Sequence, residues 1–110
     1  MKKYQVLIID ETEKDILDIY SYVSRNDSAK AADNLITKLE QHCLSLEKMP
    51  ERGHYPPELS RIAISTFREI HFKPYRIIYQ MVQNKVFIHC VFDGRRDLDA
   101  LLTRRLLLLK

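Results

Sequence analysis

The sequence predicts an α+β domain in which a helical hairpin packs on a small antiparallel sheet, in the order β-α-α-β-β-β-α. Two amphipathic helical stretches stand head to tail across a three-residue polar break, and three strand-length apolar runs follow one another across two-residue turns. The chain of 110 residues is 45% hydrophobic with only two glycines. That is material for one domain, residues 1–110, burying about two-thirds of its unfolded surface, and it excludes collagen-like or disordered chains.

Residues 4–9 are a β-rich apolar run that stops at Asp10. Asp10-Glu11-Thr12-Glu13 then offers a side-chain acceptor for a helix start with a carboxylate three residues on, and Ile16, Ile19, Tyr20 and Val23 carry the helix to about Arg25. Asn26-Asp27-Ser28 breaks that helix and caps the next, whose apolar stripe is Ala32, Leu35, Ile36, Leu39, Cys43 and Leu46. The stripe ends near Lys48, ahead of Pro50. So short a break lays the two helices antiparallel.

Residues 49–66 hold Pro50, Gly53, Pro56 and Pro57, and a loop this long in a compact domain is more often functional than accidental. Leu59 and Ile62 are expected to pin it. Strands are predicted at 67–72, 75–82 and 86–92, with turns at Lys73-Pro74 and Gln83-Asn84, so that these three pair antiparallel. The last is apolar almost throughout except at His89, as a central strand covered on both faces should be. Asp97 opens a final helix over 97–109, with Arg104 and Arg105 near its favourable end.

Net charge is +3, unevenly divided: residues 1–50 carry 7 basic and 9 acidic groups, residues 51–110 carry 11 and 6. A basic second half suits nucleic acid or an acidic protein, and equally an ordinary solvated face. Cys43 and Cys90 lie far apart among apolar neighbours, which predicts buried free thiols and a reducing cytoplasm. The opening residues lack a signal-peptide core, and the terminal Leu run is far shorter than the about 20 residues that span a bilayer. The expectation is a cytoplasmic protein with no membrane partner.

No phosphate-binding glycine loop, nucleophile elbow or HExxH pattern occurs, so no cofactor is expected. His42, His54, His71 and His89 are scattered over separate elements, which predicts no metal site. The conspicuous group is cationic and aromatic: Arg68, His71, Lys73, Tyr75, Arg76 and Tyr79 across one hairpin, then Arg95 and Arg96. The candidate target-binding residues are Arg68, His71, Lys73, Arg76, Arg95 and Arg96, since arginines grip carboxylates and phosphates bidentately. Period 2 separates Arg76 from Tyr75, Ile77 and Tyr79, so Arg76, like Arg96 at its turn, is expected to reach solvent. An ordinary polar sheet face is the alternative. Glu69 and Asp93 are candidate general bases, although carboxylates beside arginines are more usually structural ion pairs. Catalytic residues stay unassigned.

The Asp10-to-Asp15 helix opening, Met49-Pro50-Glu51-Arg52-Gly53, Arg68-Glu69-Ile70, Tyr75-Arg76-Ile77-Ile78-Tyr79 and Val91-Phe92-Asp93-Gly94-Arg95-Arg96-Asp97, in that order, resemble the toxins of the RelE/ParE superfamily of bacterial type II toxin–antitoxin systems. The resemblance covers nearly the whole chain. It implies a growth-inhibiting toxin, neutralised by a cognate antitoxin protein and meeting operator DNA only through that antitoxin. ParE-like members poison DNA gyrase without known catalysis of their own; RelE-like members cleave mRNA on the ribosome, using basic residues and a Tyr or His near the chain end. Residues 92–110 contain neither His nor Tyr, and Asp93 stands where relatives often carry His. The resemblance is therefore closer to the ParE branch and to gyrase as target, with the ribosome-dependent mRNA endonuclease as the alternative and an inactive scaffold as a third reading.

Overall fold

The computed structural model describes residues 3–96 and 98–106. The elements are β1 (Gln5–Ile8), α1 (Asp10–Asn26), α2 (Ala29–Leu44), short 3-10 turns at Ser45–Glu47 and Pro50–Arg52, α3 (Pro57–Ser60), β2 (Phe67–Phe72), β3 (Tyr75–Val82), β4 (Lys85–Asp93) and α4 (Leu98–Arg105). The predicted order is present, with α3 added inside the long loop. Of the final helix expected over 97–109, Asp97 and residues 107–109 lie outside the described residues.

Ser28 caps α2, its hydroxyl accepting from the Ala31 amide at 3.0 Å. The start of α1 differs from expectation, because Ile9 is its N-cap and no side chain caps it. Asp10, Glu11 and Glu13 instead act through charge on the first turn. Thr12 is turned inward, wholly buried, and donates to the Ile88 carbonyl at 2.6 Å.

The sheet order is β1-β4-β3-β2, with β2–β3 and β3–β4 antiparallel and β1–β4 parallel. The sheet is thus mixed and not wholly antiparallel. Two-residue turns oblige β2, β3 and β4 to alternate in direction, whereas the chain between β1 and β4 contains three α-helices and two strands and imposes no such rule.

β4 is central and covered twice. Against its first face Ile16, Leu39, Cys43 and Leu46 of the hairpin and its following turn meet Ile70, Ile77, Tyr79, Val86, Ile88 and Val91. Against the second, Leu59 and Leu101, Leu102 and Leu106 meet Ile78, Cys90 and Phe92. A bulge makes this possible: Tyr79 pairs with Ile88 and Ile78 with Cys90, so His89 is the extra residue and the alternation of faces reverses there. Burial raises both thiols, at Cys43 and Cys90, to about 12.

The long loop is pinned by Leu59, 2% exposed, while Ile62 is 55% exposed and pins nothing. Its other anchor is Tyr79, whose hydroxyl donates to the Pro50 carbonyl at 2.6 Å and accepts from the Gly53 amide at 3.1 Å. A Cβ on Gly53 would collide with that hydroxyl and come within 2.8 Å of the Glu69 carbonyl, so only glycine lets the loop approach so closely.

Leu39→Ala, which empties a fully buried position of α2, is expected to lower stability by about 2–5 kcal/mol in urea unfolding; an unchanged midpoint contradicts this packing. Both thiols should resist iodoacetamide at neutral pH in the native protein and react quickly in denaturant, as buried thiols with raised pKa do.

Candidate functional site

The structure divides the six candidate residues. Arg76 lies on the second face of β3 and is largely covered: its side chain is 13% exposed beside a Glu69 side chain 1% exposed. Its guanidinium donates to Glu69 from Nε and, at 2.7 Å, from Nη2, and to both Glu58 oxygens at 3.0 Å. Burial alone would lower the pKa of Arg76, but the hydrogen bonds to Glu69 and Glu58 outweigh it and hold the guanidinium above its ordinary value. At Glu58 burial works upward, and Arg76 again prevails, holding the carboxyl below its usual range. The expectation of an exposed Arg76 fails because α3 brings Glu58 over it, a contact between residues 18 apart that no local pattern encodes.

Arg68 is half-buried and turned to the long loop. It donates to the Gly53 carbonyl at 3.1 Å and the Tyr55 hydroxyl at 3.2 Å, and its guanidinium lies over the Tyr55 ring. These contacts hold the loop. His71 is exposed on β2, with Nε2 at 3.2 Å from Glu69 Oε1.

The other three candidates lie on two turns that touch. Gly94 donates its amide to the Pro74 carbonyl at 2.8 Å, so the turn carrying Lys73 touches the turn carrying Arg95 and Arg96. All three are exposed. Arg95 pairs with Asp93, and the Arg96 side chain makes no hydrogen bond or ion pair among the described residues. Beside this corner a depression of about 300 Å³ opens between α1 and the end of β4, walled by Ile19, Tyr22, Tyr75 and Phe92 and edged by Asp15, Asp18, Asp93, Arg95 and Arg96. Aromatic walls with arginine at the rim are the composition of protein–protein hot spots. Tyr22, 63% exposed on α1, was not singled out from the sequence.

Neither candidate base is well placed for proton abstraction. Glu69 is enclosed by Arg76, His54 and His71. Hydrogen bonding to Arg95 holds the Asp93 carboxyl at about 2, a weak base at neutral pH.

A family model described as the ParE toxin of the parDE type II toxin–antitoxin system matches residues 6–98. The chain belongs to the ParE toxin family. Among solved structures it is similar to one from the chromosomal ParDE toxin–antitoxin system of P. aeruginosa, with TM-score 0.71 and 10% identity, covering 84% of this chain and 98% of that one. At that identity the likeness is one of fold. No curated protein matches this ParE-family chain in sequence. Among the described residues no helix is long and apolar enough to cross a membrane.

Removing Arg76 from this ParE-family chain strands two carboxylates, one of them fully buried. Arg76→Met is expected to cost about 3–5 kcal/mol in urea unfolding, as breaking one side of a buried ion pair does, whereas Arg96→Met should change stability by about 0.5 kcal/mol or less.

Proposed function

We propose that this ParE-family chain inhibits growth by binding DNA gyrase through the corner formed by Lys73, Arg95 and Arg96, and that a cognate antitoxin neutralises it in the cytoplasm. The observation that carries the reading is the placement of exposed Arg95 and Arg96 at the rim of the aromatic-walled depression, with exposed Lys73 on the turn that touches theirs, where a protein partner finds both charge and apolar surface. Arg68 and Arg76 enter the reading as supports of the fold, because their guanidinium groups are already engaged by the chain itself. An acidic antitoxin segment suits the basic second half of the chain, and operator DNA is met through the antitoxin alone. The proposed action is binding without catalysis, which agrees with the weakly basic Asp93 and the enclosed Glu69.

The test is growth after induction, with gyrase supercoiling measured on each purified variant and circular dichroism confirming its fold. Arg95→Glu and Arg96→Glu should relieve inhibition in folded protein. Arg96→Lys should retain part of it, since charge survives while the bidentate fork is lost. Folded Arg96→Glu protein of full toxicity overturns the assignment of the corner. Translation that halts before DNA replication would replace gyrase by the ribosome.

A further inference from the structure

We propose that His54, Glu69 and His71 form a binding site for a divalent transition-metal ion of the zinc type. His54 is distant in sequence from Glu69 and His71, and backbone pairing brings it to them. His54 and Glu69 make an isolated antiparallel bridge, with the His54 amide 3.1 Å from the Glu69 carbonyl and the Glu69 amide 2.7 Å from the His54 carbonyl. Directly paired residues present their side chains to one face, and His71, two positions along β2 from Glu69, shares it.

The donor atoms already stand near coordinating separation. His54 Nε2 is 3.2 Å from Glu69 Oε2, His71 Nε2 is 3.2 Å from Glu69 Oε1, and the three donor groups lie within 4.8 Å of one another. Around an ion bound at about 2.0–2.2 Å, tetrahedral neighbours sit about 3.3–3.6 Å apart, so modest rotation of the imidazoles closes the set. That rotation is open to them, since His54 is 56% and His71 46% exposed, at a depression of about 330 Å³ through which water can complete the coordination. Glu69 by contrast is held still by Arg76, as an outer partner orients a ligating carboxylate.

Glu69 keeps its carboxylate in contact with both imidazoles while it shares the Arg76 guanidinium with Glu58. Two imidazoles and one carboxylate suit Zn²⁺, Co²⁺ or Ni²⁺ better than Mg²⁺ or Ca²⁺, which prefer oxygen. The nearby Arg76 charge makes the site weaker than a closed structural zinc centre. Its occupant would clip the loop at His54 to the outer edge of β2.

Untagged protein stripped with chelator and titrated with Zn²⁺ at neutral pH by calorimetry should bind one ion per chain, with a thermal midpoint that rises with Zn²⁺. His54→Ala and His71→Ala should each weaken binding about tenfold or more. His42→Ala, which alters the same depression outside the triad, should leave it unchanged. In wild-type protein Co²⁺ should perturb the ring proton resonances of His54 and His71 ahead of those of His42 and His89, a readout that needs no variant. Absence of Zn²⁺ binding overturns the proposal, as does undiminished binding in the His54→Ala/His71→Ala double variant.

Discussion

The arrangement depends on β4, a strand longer than the neighbour that pairs with it. β4 runs Lys85–Asp93, but β1 pairs with it only as far as Ile88. Beyond that point its outer edge must find other partners, at a penalty of about 1–3 kcal/mol for each buried group left without one. Side chains supply them: Thr12 donates to the Ile88 carbonyl, Asp15 accepts from the Val91 amide at 3.2 Å, and Arg105 donates to the His89 carbonyl at 2.7 Å. Arg105 also grips Asp15 with two hydrogen bonds, at 2.9 and 3.1 Å. The same contacts that complete the strand therefore hold α1 and α4 against it, and the bulge at His89 lets one strand serve the core on either side.

The second constraint is the buried charge of Glu69. A buried ion pair is poor grounds for net stability, since desolvation offsets much of the attraction, but once the charge is buried its partners are obligatory. Here they come from β3, β2 and the long loop, so a single carboxylate ties α3, through Arg76 and Glu58, to the sheet. Tyr79 and Arg68 hold the same loop from the other side. The long segment after α2 is consequently a structured cover over the sheet, ordered by these polar contacts together with the burial of Pro50, Pro56 and Leu59.

What the sequence made legible were the features encoded locally. Helical spacing marked the stripes of α1 and α2, and two-residue turns gave the β2–β3–β4 meander with its boundaries within a residue or two. The parallel docking of β1, the inward turn of Thr12 and the clustering of His54 with His71 all depend on pairings between distant residues, which no spacing rule sees. Arg76 is the instructive case. Period 2 correctly put it on the face opposite Tyr75 and Tyr79, but that face is covered by α3 and α4, so leaving one core meant entering another. Ile62 fails in the opposite sense: its apolar character suggested an anchor beside Leu59, and of the two expected anchors Leu59 alone is buried.

The buried and exposed charges are also mechanically connected. Gly94 sits on the aliphatic stem of Arg76, where a Cβ would lie 3.1 Å from Arg76 Cδ and 3.2 Å from the Pro74 carbonyl oxygen, closer than side chains ordinarily approach. The turn bearing Arg95 and Arg96 is thus laid directly over the ion-paired arginine, and its contact with the Lys73 turn runs through the Gly94 amide. Glycine at 94 lets the chain pass close enough for the exposed cations to gather. Arg76 contributes to the corner without being exposed there, as the floor on which Arg95 and Arg96 are set. Its charge is spent on Glu58 and Glu69, and its methylenes hold the turn at the height from which the exposed arginines project.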